Sequence, residues 1–141
     1  MKKVPSTEGS LPAMPLHQLV NKVMIGLLPL AVSHKSFVIN DVNPDVNVLA
    51  DENMLALVLG AMLNQTISAT ENECIRIEAS SGKDATSISM KTLSQFLYGN
   101  PGSGLREMEL AAEKIGARIS ISPSKCGMVV TCSFKKGLKA A

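Results

Sequence analysis

Hydrophobic residues recur three and four positions apart in residues 16–28. This spacing predicts an amphipathic helix that begins at Leu16. Pro29 has no backbone N–H and restricts the residue before it, so we expect the helix to end or kink near Leu28. The predicted apolar face consists of Leu16, Leu19, Val20, Val23, Met24, Leu27 and Leu28.

A second helix is predicted after two short strands. Residues 36–41 (SFVIND) and 47–50 (NVLA) have the apolar, β-branched character of strands, and the turn-forming VNPD joins them. Asp51 is a good N-cap for the helix that follows, and Glu52 suits its positive end. The predicted buried face consists of Leu55, Val58, Leu59, Met62, Leu63 and Ile67, widened by Met54 and Leu57.

The second half of the chain combines four strands with one helix. CIRIEAS (74–80) alternates isoleucine with arginine and glutamate, which predicts a strand with one wet face. A turn at 81–84 leads to the next strand, ATSISMK (85–91). Gly102 and Gly104 open an amphipathic helix and Gly116 closes it. RISIS and MVVTCSF then form a predicted hairpin around PSKCG.

Runs of strands separated by single helices favour a two-layer α/β (α+β) sandwich. We expect a mixed, mostly antiparallel sheet that about three helices cover on one face. The chain of 141 residues is long enough for one core and too short for two. We expect a flexible, Pro/Ser/Gly-rich leader at 1–15, one domain at 16–134 and a basic tail at 135–141.

The charge distribution argues against nucleic acid as a partner. The formal net charge is +2, but residues 16–134 hold nine basic and eleven acidic side chains, so the predicted domain has no basic footprint. Aromatic residues are 3% of the chain and Trp is absent, which leaves few platforms for base stacking.

Three cysteines, Cys74, Cys126 and Cys132, have no Cys-x-x-Cys spacing. They are typical of free thiols in a reducing compartment. The apolar run KVMIGLLPLAVS is too short to span a bilayer, and a polar stretch containing Glu8 precedes it, unlike a secretory signal. We therefore expect a cytoplasmic protein with no membrane partner.

Residues 51–70, DENMLALVLGAMLNQTISAT, resemble the N-box helix of the GHKL superfamily, and within it of the histidine kinases. That helix runs Asp, Leu, Val-Leu, Asn-Leu-Leu-x-Asn-Ala-Ile and Thr. The residues that match it without a gap are Asp51, Leu55, Val58, Leu59, Leu63, Ile67 and Thr70.

Residues 99–121, GNPGSGLREMELAAEKIGARISI, are similar to the second glycine box of the nitrate-sensor class of kinases. KCGMVV then resembles the Gly-Thr-x-Val turn before the last strand of that fold. The two motifs and the elements between them cover nearly all of 16–134, so the resemblance implies a histidine-kinase ATPase-like fold. The matching residues of the glycine box are Gly102, Gly104, Leu105, Arg106, Met108, Ala112, Glu113, Gly116 and Ile119.

The resemblance implies an ATP and Mg²⁺ site whose metal ligands have changed. The two asparagines of the N-box fall on Ala61 and Gln65. Alanine cannot ligate a metal, and the longer Gln65 amide suits octahedral Mg²⁺ poorly. Asn64 is adjacent, but one helical step turns it about 100° away from that face. If nucleotide binding survives, we expect Asn64 and Gln65 to contact the cofactor and Gln65 to be the metal ligand.

The first glycine box, Asp-x-Gly-x-Gly, has no counterpart. KTLSQFLYGNP follows the strand ATSISM, so Lys91 or Thr92 occupies the position of the carboxylate that accepts from adenine. Loss of that acceptor leaves a buried polar group unpaired, at a cost of about 1–3 kcal/mol. The lid after it contains the apolar Phe96, Leu97 and Tyr98, which would fold over a narrowed pocket or dock a partner.

The second glycine box keeps the residues that would meet phosphates. If nucleotide binding survives, we expect the backbone of Gly102, Ser103, Gly104 and Leu105 to contact the phosphates, with a charged bond from Arg106. The alternative is that the glycines serve a tight turn only. The damaged metal and adenine positions favour that alternative.

Three functions are compatible with these residues. The first is a signalling module without a cofactor, a pseudo-ATPase that contacts a kinase, a response regulator or a sigma or anti-sigma factor. The second is an ATP-dependent kinase, either the catalytic piece of a sensor histidine kinase or an anti-sigma-factor serine kinase. The third is a histidine phosphotransferase that uses His17 or His34. No catalytic residue stands out, and homodimerisation stays open.

Overall fold

The computed structural model describes residues 13–49, 51–82, 85–92, 102–123 and 127–135. Four helices in this part of the chain are α1 (Leu16–Gly26), α2 (Leu28–Ser33), α3 (Glu52–Ser68) and α4 (Gly102–Glu113). The strands are β1 (Ala13–Pro15), β2 (Phe37–Asn40), β3 (Asn47–Leu49), β4 (Cys74–Ser81), β5 (Ala85–Lys91), β6 (Arg118–Pro123) and β7 (Met128–Lys135).

Five of the described strands form one mixed sheet in the order β2-β4-β5-β7-β6. Only the β2–β4 pair is parallel, and the other three pairs are antiparallel. β1 and β3 pair separately as a two-stranded antiparallel ribbon. The predicted mixed, mostly antiparallel sheet with helices is therefore confirmed, with four described helices where about three were expected.

Apolar and polar residues alternate along the strands, which gives the sheet one face in the core and one solvent-exposed, or wet, face. Ile75, Ile77, Ile88, Met90 and Cys132 are buried on one face and belong to the same cluster as the apolar faces of α1, α3 and α4. The intervening positions carry mostly serine, threonine and charged residues. The sheet thus buries one face only, as its period-2 pattern predicts.

Pro29 does not simply end the first helix. α1 ends at Gly26, and a second short helix begins at Leu28 with Pro29 in its first turn, where a missing N–H costs no hydrogen bond. The expectation that Leu28 continues the buried face is wrong, because Leu28 is mostly exposed. Leu57, which was expected to widen the apolar band of α3, is also half exposed.

The two short strands on either side of VNPD belong to different sheets. β2 joins the main sheet beside β4, whereas β3 pairs with β1. β1 itself lies within the segment that we expect to be a leader. Directly after it, Leu16 N donates to Val46 O at 3.1 Å, which extends the bonding between β1 and the β3 region by one more residue. None of the described helices is long and apolar enough to cross a membrane.

Candidate nucleotide-binding site

α3 provides the rigid element of the candidate site. The Asp51 side chain accepts a 3.0 Å bond from Met54 N and caps the helix as predicted. Leu55, Val58, Leu59, Met62, Leu63 and Ile67 are all at most 1% exposed, so the predicted buried face is confirmed. α4 packs against α3. The arrangement brings the N-box-like helix and the glycine-box helix side by side.

On α3 the resemblance implies metal ligands at Ala61 and Gln65, which lie beside Asn64. Ala61 offers no donor atom, and it lines a groove with α1 together with Asn64. Asn64 is exposed, and its Oδ1 accepts a 3.3 Å bond from Ser68 Oγ on the same helix. Gln65 is half-buried one helical step away. Across the described residues, no group of three His, Cys, Asp or Glu side chains could hold a metal ion.

Lys91 is one of the two residues that the resemblance places at the position of the adenine-binding carboxylate. Its register partner is Arg76, on the wet face of the sheet. Its Nζ lies 2.8 Å from Glu78 Oε1 on that face. Lys91 therefore points away from the side of the sheet that α3 and α4 cover.

Thr92 is the other residue at that position, and it is 3% exposed. Its backbone N–H donates to Met128 O at 3.0 Å, and its Oγ1 accepts from Met128 N at 3.2 Å. The same hydroxyl lies 3.4 Å from Met128 O, to which it donates. Thr92 thus fastens the end of β5 to the start of β7. Where the resemblance implies a carboxylate that accepts from adenine, this chain has a hydroxyl that is bonded to the backbone.

The glycine box forms a helix start and a helix stop, as predicted. α4 begins at Gly102, which places Ser103, Gly104 and Leu105 in its first turn. Gly116 has φ of 70°, and Ala117 N donates to Ala112 O at 2.9 Å in a glycine-type helix end. Arg106 is exposed. The backbone N–H groups of the first turn of α4 have no partner within the helix and are suited to an anion.

Several expected site residues fall outside the described part of the chain. The apolar lid residues Phe96, Leu97 and Tyr98 lie there, as do the side chains of 102–105. Contact between the glycine box and a phosphate therefore stays a prediction.

The two histidines occupy different environments. His34 is half-buried, and its Nδ1 donates to Thr70 O at 2.9 Å, while its own carbonyl accepts from Asn72 N at 3.0 Å. These bonds tie the end of α2 to the end of α3. His17 lies on α1, and its carbonyl accepts from Asn40 Nδ2 at 3.0 Å. The described contacts of His34 are those of a structural residue.

Cys132 lies in the core, and burial raises the pKa of its thiol from 9.0 to about 12. Cys132 and Cys74 are both free thiols, the first buried and the second half-buried. This agrees with the expectation of reduced cysteines for these two. Cys126 lies outside the described residues.

The hydrogen bonds between Thr92 and Met128 were not predicted from the sequence. The two residues are 36 positions apart, and each alone is unremarkable in the sequence. The only signal was a threonine where the glycine-box pattern has a carboxylate. That signal indicated a lost acceptor, but not the new partner of the hydroxyl.

Neither a protein-family model nor a curated protein matches the sequence. Solved structures do match the fold. The nucleotide-free catalytic domain of histidine kinase ThkA superposes with a TM-score of 0.76 at 17% identity, over 91% of this chain and 98% of that one.

Two longer chains contain the same fold. Histidine kinase ThkA in complex with the response regulator TrrA matches with a TM-score of 0.67 at 16% identity, over 89% of this chain and 41% of that one. Full-length ShkA in complex with AMPPNP matches with a TM-score of 0.67 at 17% identity, over 97% and 33%. This chain has the fold of the catalytic domain of histidine kinases, the Bergerat fold.

Proposed function

We propose that this protein is a cytoplasmic signalling module in which the histidine-kinase ATPase fold has lost its nucleotide chemistry and acts by protein–protein contact, as a pseudo-ATPase adaptor or regulator. Its partner would be a kinase, a response regulator or a sigma or anti-sigma factor. The structures of ThkA with TrrA make a response regulator a natural first partner to test.

The observation that carries the proposal is that the Thr92 hydroxyl is hydrogen-bonded to the backbone of Met128. An adenine amino group needs an acceptor at this position, but the Thr92 hydroxyl accepts from Met128 N and donates to Met128 O. These two bonds hold the hydroxyl against the start of β7, and unlike a carboxylate it carries no negative charge that would strengthen a bond from adenine. Lys91, the neighbouring candidate, ends in an ammonium group, which donates hydrogen bonds and accepts none, and it pairs with Glu78.

The donor set for Mg²⁺ supports the same conclusion. Mg²⁺ requires close to octahedral oxygen geometry at about 2.0–2.1 Å. Of the two N-box asparagine positions, Ala61 has no side-chain oxygen, and the adjacent Asn64 accepts a bond from Ser68. Gln65 is the one amide at these two positions, and its side chain is a methylene longer than that of the asparagine in the N-box. The residues present fit the family's Mg²⁺–ATP poorly.

A groove between α1 and α3 is a candidate contact surface for the partner. It has a volume of about 450 Å³ and is lined mainly by apolar groups, among them Val23, Leu27 and Leu57. Lys22 also lines the groove and pairs with Glu52 at 3.0 Å. An apolar groove with a charged margin suits the side chains of an amphipathic helix.

Thermal unfolding followed by calorimetry tests the proposal. The protein is heated alone and with millimolar ATP or ADP, with and without Mg²⁺. A ligand present at 100 times its dissociation constant would add about 2.7 kcal/mol to the free energy of unfolding and several degrees to the midpoint. We expect no change in the midpoint with either nucleotide.

Two variants decide what a positive shift would mean. Gly104→Arg fills the first turn of α4, and Leu110→Arg puts the same side chain on an exposed position further along that helix. A Mg²⁺-dependent shift that survives in Leu110→Arg and vanishes in Gly104→Arg would overturn the proposal and assign the glycine box to phosphate binding.

An ATP-binding kinase is the second candidate. The start of α4 at Gly102 favours it, because the backbone groups that would receive phosphates are in the expected helical turn. ShkA, which shares the fold, is found with the ATP analogue AMPPNP. Its test is transfer of labelled γ-phosphate to the chain itself or to an added response regulator. Phosphate transfer that requires Gly104 would establish the function as a kinase.

A further inference from the structure

β2 forms an edge of the main sheet. It pairs with β4 on one side, and no described strand pairs with its other side. Phe37 N donates to Glu73 O and Asp41 N donates to Ile77 O, each at 2.8 Å. In a parallel ladder the backbone groups of alternate residues point to opposite sides, so those of Val38 and Asn40 point away from β4. The sheet therefore presents a short row of backbone donors and acceptors.

The side chains of this four-residue edge strand carry neither a charge nor a proline, two of the devices that protect natural edge strands against pairing. Natural edge strands carry lysine, proline or an inward charge. β2 reads Phe-Val-Ile-Asn, and its wet-face residues Phe37 and Ile39 are large and apolar. Asn40, the one polar side chain, is turned to α1, where its Nδ2 donates to Asn21 Oδ1 at 2.8 Å.

Apolar residues of the neighbouring helices extend the exposed surface of β2. A cavity of about 340 Å³ lies between the end of α1, α2 and the start of β2. We call the exposed apolar residues of this region the edge patch, and they are between 39% and 75% exposed. The edge patch consists of Ile25, Leu28, Val32, Phe37 and Ile39.

The size of the edge patch is near that of a protein interface. If each large side chain has on the order of 200 Å² of surface, the five exposed fractions amount to roughly 600 Å². Pairing of the strand edges would bury further backbone and flanking atoms. A standard interface buries about 800 Å² on each partner.

A second copy of this chain complements the edge in both hydrogen bonding and charge. Two β2 strands that run antiparallel around a twofold axis at Ile39 place Val38 of each copy opposite Asn40 of the other. Their outward backbone groups then pair reciprocally. The same axis brings the Lys35 end of one strand next to the Asp41 end of the other, and both side chains are exposed. In this register Asp41 lies opposite Phe37 of the other copy, two positions from Lys35, so opposite charges lie near each other at both ends of the contact.

We propose that the edge patch is a homodimer interface in which the β2 strands of two copies pair antiparallel and join two five-stranded sheets into one. The occupant is a second copy because one surface supplies donors, acceptors, apolar area and both charges in self-complementary positions. The proposal is independent of nucleotide binding and of the function proposed above.

Sedimentation equilibrium of the full chain tests the interface. We expect wild type to show twice the monomer mass of 14.9 kDa at tens of micromolar. Ile39→Lys and Phe37→Lys place a charge on the edge and should sediment as monomers. Leu110→Lys, which charges an exposed apolar site on α4, should remain dimeric. Circular dichroism checks that each variant is folded.

A charge exchange tests the antiparallel register. Lys35→Glu should raise the dimer dissociation constant several-fold, because two acidic residues then meet at each end. Combining it with Asp41→Lys should restore the wild-type value. A monomeric wild type at every concentration, or a dimer that persists in both lysine variants of β2, would overturn the interface. Failure of the combined exchange to restore affinity would overturn the antiparallel register.

Discussion

Thr92 joins two strands that are far apart in the sequence. Its hydroxyl accepts from Met128 N, a backbone group at the start of β7. A hydroxyl in a buried position contributes chiefly by preventing an unpaired partner, and leaving such a partner unpaired costs about 1–3 kcal/mol. The residue therefore has a structural role at a position where the resemblance implies a ligand contact.

Thr92→Val should lower the free energy of unfolding by about 1–3 kcal/mol, because the shape is kept and Met128 N loses its acceptor. Urea unfolding followed by circular dichroism measures the change. Thr131→Val, on the wet face of β7, is the matched control and should stay within about 0.5 kcal/mol of wild type. Equal effects of the two substitutions would contradict the role of Thr92.

The buried thiol of Cys132 should make the folded protein less stable at alkaline pH. Burial raises the pKa of its thiol from 9.0 to about 12, so the folded state keeps a proton that the unfolded state loses above pH 9. The unfolded state then binds fewer protons, and the free energy of unfolding falls as pH rises through this window, by about 1.4 kcal/mol per pH unit.

Urea unfolding at pH 8 and pH 10 measures this linkage. Between these values wild type should lose about 1.4 kcal/mol more than Cys132→Ala, which has no thiol to ionise. The substitution also leaves a cavity, but the cavity cost is common to both pH values and cancels in the comparison. Identical pH dependence of the two proteins would contradict a buried, protonated Cys132.

At the scale of elements, α3 combines a strong buried face with a glycine in its middle. An added Cβ at Gly60 would meet no atom within 4 Å. Gly60 lies in the groove with α1, where neither packing nor backbone conformation requires glycine. Glycine inside a helix costs about 0.5–1 kcal/mol relative to alanine.

Gly60→Ala should therefore raise the free energy of unfolding by about 0.5–1 kcal/mol, measured by urea or heat. Gly116→Ala is the matched contrast. Gly116 has φ of 70°, where a side chain is strained by about 1–2 kcal/mol, so this substitution should destabilise. A destabilised Gly60→Ala would indicate that the groove between α1 and α3 is closed in solution.

Local elements were predictable where the determinants are close in sequence. The Asp51 cap lies three residues from Met54, and the turn at Gly116 lies four residues from Ala112. The positions of α3 and α4 followed from such signals. α2 was missed because Pro29 ends one helix and is equally suited to the first turn of the next.

At the scale of the molecule, one hydrophobic cluster connects all the larger elements. Its buried members run from Leu16 in α1 to Phe134 in β7 and include Val48 of the small ribbon. A single connected core favours cooperative, two-state unfolding in a chain of this size.

Calorimetry should therefore show one transition in which the calorimetric and van't Hoff enthalpies agree. The heat capacity change of unfolding should be about 1.7–2.1 kcal/mol/K, from about 12–15 cal/mol/K per residue. Far-ultraviolet circular dichroism should report the same midpoint. Two separated transitions would show that the ribbon and α1 unfold apart from the main sheet.

The sequence by itself determined the succession of helices and strands, which strand face is apolar, and the two motifs that point to the kinase fold. These features depend on neighbours within one or two turns, where spacing and capping act directly. The tertiary structure decided which strands pair, so that β2 and β3 enter different sheets. It also decided that Thr92 bonds Met128, that Lys91 faces the wet side, and that Phe37 and Ile39 lie on an open edge. Such contacts join residues tens of positions apart, and only the packing of the whole chain selects among them.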